Sequence, residues 1–263
     1  MTRRAGRRAE TLFEMENDMT YRMLFDYHTH TEYSHGRFWP HGRGTVAESA
    51  AAAAACGLKG LAISDHGPGH LLYGIKREKF ADQRRDIEAA KLAYPGLEIY
   101  MSVEANIMDT ENGLDLTAED KKAFDFINAG YHYGVKGGHC TANFVADAGM
   151  VSKTKLRNTM TDLYVRALYE NDIKILTHPG DKGPVDMAVV AKVCAKRGTW
   201  MEISNWHTHL TTAEIKTAMK EDVLFVISSD AHVSSRIGTF ERGLSRALEA
   251  GLDPERIVNI ARE

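Results

Sequence analysis

His28 and His30 stand two residues apart at the end of an apolar run. In an extended chain that spacing points both imidazoles to one face, and converging imidazoles suit a divalent cation such as zinc, manganese or iron. The same chemistry recurs down the chain. Asp65-His66 closes L-K-G-L-A-I-S, Glu104 follows I-Y-M-S-V, His132 and His178 each end a further apolar run, and Asp230 and His232 close V-L-F-V-I-S-S. A carboxylate such as Glu104, directly after an apolar strand, is costly to bury without a partner. Taken singly, each is a capped strand or a hydrogen-bonded core histidine. Together they describe a polynuclear metal site assembled from strand ends.

Such a site needs strands that deliver their ends to one place. Apolar runs bounded by turn residues predict strands over 23–28, 58–64, 98–103, 126–130, 173–177, 199–204 and 223–229. Helical patterns lie between and after them, over 46–56, 78–93, 118–123, 155–171, 185–197, 212–220 and 240–250. Thr45 reads as an N-cap, the alanines at 50–55 as strong helix formers and Gly57 as a stop. Gly96, Gly198 and Gly251 end later helices in the same way, and Asp253-Pro254 opens a last short helical segment. Seven strand–helix alternations without a long polar linker predict a parallel sheet, open or closed into a barrel. The longest loops, 31–44, 67–76 and 134–154, all follow strands, where parallel α/β folds build their active sites.

Length and composition set the bounds. At 263 residues, with 43% hydrophobic and 26% charged residues, the chain reads as one globular α/β domain over 21–263 that needs no metal merely to fold. The segment 1–20, with Arg3, Arg4, Arg7 and Arg8 but no apolar stretch, reads as a flexible basic leader and not as a secretory signal. A net charge of −3 gives no electrostatic footprint for nucleic acid. No apolar run is long enough to span a membrane. Cys56, Cys140 and Cys194 are far apart and form no CxxC pair, which suits a reducing cytoplasm.

The HxHT opening (His28-Thr29-His30-Thr31), S-D-H-G at 64–67, the isolated Glu104, the strand-end His132 and His178, and S-D-A-H at 229–232 together resemble the PHP (polymerase and histidinol phosphatase) superfamily from about Phe25 to Ile237. The resemblance implies a distorted seven-stranded, TIM-like (β/α)7 barrel with up to three divalent ions (zinc, manganese or iron) at the C-terminal rim of its strands. It further implies that His28, His30, Glu104 and Asp230 hold one ion, and that Glu104 bridges to a second held by His132 and His178. His66 and His232 would hold a third, with a histidine from the loop after the first strand. His41 directly precedes the first helix, as the family ligand does, and is preferred to His35. The implied activity is hydrolysis of a small phosphomonoester, as by histidinol phosphatase, through a metal-activated hydroxide. Closely spaced ions lower the pKa of a bridging water and clamp the phosphoryl oxygens as charge develops. In that chemistry Glu104 sets the ion spacing and Asp230 takes or positions the water proton.

Other residues carry weaker expectations. Asp65 reads as a catalytic-site carboxylate that orients a ligand imidazole. Glu202 and Asn205 end the sixth strand at the same rim, Asn205 as a substrate contact. Arg236 and Arg43 are the preferred substrate cations, with Arg37, Lys76, Lys136 and Lys182 in neighbouring loops. Phe38, Trp39, Tyr73 and Tyr133 could stack on an organic group. His70, His139, His207 and His209 fall outside the ligand set, the last two as solvated loop residues. The alternatives are a nuclease or nucleotide phosphodiesterase of the same superfamily, and a metal-binding regulatory barrel without turnover. An amidohydrolase site is disfavoured, because the fourth strand offers no lysine for carbamylation. The expected partner is a small phosphorylated substrate. Oligomeric state is not legible.

Overall fold

The computed structural model describes residues 12–14, 20–36, 41–135, 139–150 and 152–263. The basic segment with Arg3, Arg4, Arg7 and Arg8, and the rim candidates Arg37, Phe38, Trp39 and Lys136, lie outside the described residues.

Seven strands form one parallel sheet in chain order: β3 (Phe25–Thr29), β4 (Gly60–His66), β5 (Glu98–Asn106), β6 (Ile127–Gly130), β7 (Ile173–Leu176), β8 (Trp200–Ser204) and β9 (Phe225–Ser228). The sheet curls into a nearly closed (β/α)7 barrel. Its last step, from β9 back to β3, is made by one parallel bridge, Thr29↔Ala231, and by the His30 N–H donating to the Ala231 carbonyl at 2.8 Å. Helices α1 (Val46–Ala55), α2 (Phe80–Ala93), α3 (Ala118–Lys121), α5 (Lys153–Glu170), α6 (Met187–Arg197), α7 (Thr212–Ala218) and α8 (Glu241–Glu249) follow the strands. Thr45 and Glu48 form a full capping box at the start of α1, whose Val46, Ser49, Ala50 and Ala53 are buried. Small side chains let that helix lie close to the sheet. Gly198 ends α6 with φ +70°, a left-handed conformation that glycine adopts without a Cβ penalty.

Strands β4 and β5 are buried along nearly their whole length, as expected for strands packed on both faces. They run further than their apolar patterns predict. Pairing continues through Asp65↔Val103 to His66↔Glu104, because the polar side chains at these ends are buried among partners and not released to a loop. Two elements carry no clear periodic signal. One is α4 (Cys140–Asp147), within the long loop after β6. The other is a small antiparallel sheet, order β1 (Leu12–Glu14), β2 (Thr20–Met23), β10 (Ile260–Arg262), which gathers both ends of the chain beside the start of β3. No helix among the described residues is long and apolar enough to cross a membrane.

Candidate metal centre

The strand ends converge on Glu104. Its Oε2 lies 3.0 Å from His66 Nδ1, 3.3 Å from His28 Nε2, 3.3 Å from His132 Nε2 and 3.7 Å from His30 Nε2. Its Oε1 is 2.8 Å from His178 Nε2 and accepts from the Thr177 hydroxyl at 2.7 Å. All of these side chains are buried. Gly130, paired with Asn106 on β6, makes the approach possible: a Cβ there would collide with the Thr177 hydroxyl and crowd Glu104 and His178. Asp230 faces the cluster from beyond β9, its Oδ1 3.1 Å from His30 Nε2 and 3.7 Å from His28 Nε2. A third group lies toward the first loop, where His41 Nε2 is 3.0 Å from His66 Nε2 and 2.8 Å from His232 Nε2.

The hydrogen bonds behind the cluster fix which ring nitrogen faces inward. His28 Nδ1 donates to Glu202 at 2.8 Å, and the other Glu202 oxygen accepts from the His178 N–H. His132 Nδ1 donates to Asn106 Oδ1 at 2.8 Å, while the Asn106 amide donates to Asp115 at 2.6 Å. His232 Nδ1 donates to the Asp230 carbonyl at 2.9 Å. In each case Nε2 is the nitrogen that faces the centre. Glu104 Oε2, His66 Nδ1 and His132 Nε2 have no aligned hydrogen-bond partner although buried, and they form one of the groups whose ligand atoms lie within 4.8 Å of one another. The other groups are His28–His30–Glu104, His30–His66–His232 and His178–His207–Asp230. Buried imidazole and carboxylate groups aimed at a common point fit divalent cations.

Electrostatics agree with the geometry. Burial and the neighbouring His232 hold His30 down to about 3, and the same two causes hold His41 to about 3. Burial and His30 keep His66 well below the ordinary histidine value. Burial opposes charge on Glu104, but His132, His28 and His178 outweigh it and hold the carboxylate well below its usual range. His28 moves the other way, raised by Glu104, Glu202 and Asp230 against the effect of its burial. Two residues of the cluster, His178 with φ 26° and Asp230 with φ 50°, sit in left-handed conformations uncommon for residues other than glycine. That strain aims both side chains inward.

The structure brings together His28, His30, His41, His66, Glu104, His132, His178, Asp230 and His232, and leaves His35 exposed. His70 packs behind the cluster, donating to the Tyr133 carbonyl at 2.7 Å, and His209 pairs with Glu214 at 2.9 Å. Three expectations are corrected. Asp65 touches no ligand imidazole; strand alternation turns it away from His66, and its carboxylate accepts from the Thr31 N–H, the Thr31 hydroxyl and Gln83 at 2.6–2.7 Å. It anchors the loop that carries His30 and His41. The Asn205 carboxamide oxygen accepts from Arg242 and Gly243 N–H at the start of α8, so that oxygen caps a helix instead of facing substrate. His207 is not a solvated loop residue: it is wedged between Asp230 Oδ2 at 3.2 Å and Asp181 Oδ2 at 3.1 Å. Its position three residues beyond β8, at the ligand-bearing rim, was the signal available for it. Glu202, a charged residue inside an apolar strand, carried a similar one. Asp181 carried none.

Arg236 is exposed, its guanidinium 3.7 Å over the Trp206 ring. Arg43 is exposed as well, its N–H donating to the His232 carbonyl at 3.0 Å. Tyr73 stacks between His41 and His70, with centroids 3.7 and 3.6 Å away.

Comparison with known proteins gives one consistent picture. The PHP domain family profile matches residues 26–221. A protein of Acetivibrio thermocellus named "Probable phosphatase" is 26% identical over 251 residues, covering 92% of this chain and 93% of its own. Another of that name from Proteus mirabilis is 28% identical over 243 residues, 89% of each chain. Among solved structures, the histidinol phosphate phosphatase of Lactococcus lactis, complexed with zinc, L-histidinol and phosphate, superposes with a TM-score of 0.55. It is 10% identical, over 88% of this chain and 95% of that one. At that identity the likeness is one of fold.

Proposed function

The chain belongs to the PHP domain family, and on that premise we propose that it is a metal-dependent phosphoesterase that hydrolyses a small phosphomonoester at a trinuclear centre. The observation that carries this reading is Glu104, whose two oxygens contact nitrogens of His28, His30, His66, His132 and His178. A buried carboxylate so placed is a bridging ligand. His28, His30 and Asp230 would join it at one ion, His132 and His178 at a second, and His41, His66 and His232 would hold a third. The donor set of imidazole and carboxylate accepts zinc, manganese or iron. When bound, the ions lower the pKa of a water and neutralise phosphoryl oxygens.

The chain's own residues do the rest. Glu104 and Asp230 stay ionised at neutral pH, and Glu202, Asn106 and the Asp230 carbonyl lock the imidazoles in their binding tautomers. Asp230 also accepts the proton of the attacking water. Arg236, held flat by Trp206, and Arg43, tied to the same loop through the His232 carbonyl, meet the phosphate. The near-neutral charge of the chain favours a small ester over nucleic acid, and its scattered cysteines fit a cytoplasmic setting.

The test combines metal analysis with a substrate panel of phosphomonoesters, dinucleotides and single-stranded DNA. Turnover of phosphomonoesters by metal-loaded protein is the expected result. A purified chain that binds none of manganese, zinc or iron, and hydrolyses nothing when supplied with them, refutes the proposal.

A further inference from the structure

We propose that His207 is an additional metal ligand, binding through Nε2 the ion assigned above to His132 and His178, which Asp230 reaches with its second oxygen, with Asp181 fixing its ring. The proposal rests on the metal-centre reading above and extends it to a histidine outside the resembled ligand set.

One donor atom from each of His178, His207 and Asp230 lies within 4.8 Å of the others. The 3.2 Å between His207 Nε2 and Asp230 Oδ2 suits two donors on one ion, since ligands at about 2.1 Å and roughly 100° apart are separated by about that much. Asp230 divides its oxygens, Oδ1 toward His30 and His28 and Oδ2 toward His207, as a carboxylate serving two ions does. Behind the ring, Asp181 Oδ2 faces Nδ1 at 3.1 Å. That repeats the arrangement in which Glu202 supports His28 and Asn106 supports His132, and it leaves Nε2 as the binding nitrogen.

The loop is built to hold this ring still. The Ser204 hydroxyl accepts from the His207 N–H at 3.0 Å, and Arg246 donates to the His207 carbonyl at 3.1 Å. The Asp181 N–H donates to the His178 carbonyl at 3.1 Å, and Lys182 Nζ lies 2.5 Å from the Asp181 carboxylate. The supporting carboxylate is therefore tied to the same loop as His178. A role as a mere surface ion pair needs none of this anchoring.

The experiment measures metal retention on the full chain. Wild type, His207→Gln, His207→Ala and Asp181→Asn are loaded with zinc, titrated with a chelator, and their zinc content is read by mass spectrometry. Cobalt-substituted samples report coordination by visible absorption. Both His207 variants should lose one class of ion about 10- to 100-fold more readily than wild type, with Asp181→Asn shifted the same way by less. The cobalt spectrum should change in the His207 variants. Thermal melts of the chelated proteins verify that all four fold alike.

Wild-type chelator curves and cobalt spectra in both His207 variants overturn the proposal. So does a raised KM with metal retention unchanged, which makes His207 a substrate contact. Either result leaves the phosphoesterase reading standing. A wild-type chain that takes up no metal refutes both.

Discussion

Two joints of the barrel are built in opposite ways. Strands β4 and β5 are knitted by seven consecutive register pairs, from Gly60↔Glu98 to His66↔Glu104. Strands β9 and β3 share no ladder among the described residues. Their seam is held at the rim by the Thr29↔Ala231 bridge and below it by segment 257–259, whose Val258 N–H donates to the Phe225 carbonyl and whose Asn259 carbonyl accepts from the Leu24 N–H, together with side chains. The Asn259 amide donates to the carbonyls of Phe25 and Ile227 at 2.7 and 2.6 Å, and its oxygen accepts from the Ile227 N–H. Asp26 accepts from Ser229 and Gly238 N–H. The candidate ligands flank this seam, His28 and His30 on one side and Asp230 and His232 on the other. On the knitted side the backbone sets where Glu104 and His66 stand. At the seam a single bridge, the inserted segment 257–259 and side chains do that work.

The sharpest way to break the comparison is Glu104→Gln. The knitted strand should keep the fold, so circular dichroism and melting should change little, while kcat falls by about 10³-fold or more as the bridging charge is lost. A variant retaining near-normal turnover would remove Glu104 from the centre. A variant that fails to fold would show that the ladder does not position this side of the site.

Asn259→Ala probes the seam itself. It deletes three buried hydrogen bonds and strands the Phe25 and Ile227 carbonyls, so unfolding in urea should show a loss of about 2–4 kcal/mol. On the knitted side, Ser102 has a hydroxyl with no hydrogen-bond partner, and Ser102→Ala should change stability by less than about 0.5 kcal/mol. Equal losses at the two positions would mean that the seam is no more dependent on side chains than the ladder.

These two positions also show what the sequence could and could not reveal. Seven apolar runs with metal-binding groups at their ends were legible because burial on both faces demands continuous apolar strands, and a barrel gathers its C-terminal ends at one rim. Strand ends were less so. His66 and Glu104 lie inside paired strands, and polar residues read as loop until their burial partners are known. Asn259 looks like any loop asparagine, because its role depends on two strands more than 30 residues away. Asp65 was misassigned as an imidazole partner because adjacency to His66 counts for little when alternate residues face opposite ways. His207 is hard to read for the converse reason: it lies on no strand and reaches the cluster only through the loop after β8.

Metal removal should separate the two joints in one experiment. In the chelated protein, amides at the seam, among them His30, Ser229 and Gly238, should exchange with deuterium about 10-fold faster or more, as a bound ion contributes stability in proportion to its occupancy. Amides of β4 and β5 should change little. Uniform acceleration over both would show that the ions stabilise the whole barrel and not the seam.

The smallest expected signal is the pH dependence of the metal-free protein. His30 and His41 are held to about 3, and His70 to about 4, by burial first and by neighbouring histidines second. Between these values and the ordinary histidine pKa near 6.5, the unfolded chain binds protons that the folded chain refuses, so stability falls as pH drops below about 6.5. His28 and His207 are raised, the latter to about 9, because their carboxylate partners outweigh the cost of burial. For them the folded chain keeps a proton that the unfolded chain releases, and stability falls as pH rises above about 6.5. The metal-free melting temperature should therefore pass through a maximum near pH 6.5. In the range from 5 to 6.5, Asp26 and Asp65, both raised to about 6 by burial, titrate with the opposite sign, so the histidine limb is read from the difference between wild type and a variant. The double variant His30→Gln, His41→Gln should flatten that limb and leave the alkaline one. A wild-type melting temperature that stays level across pH 5–8 would mean that the crowded imidazoles are not the electrostatic load at the seam, and that its weakness is one of backbone alone.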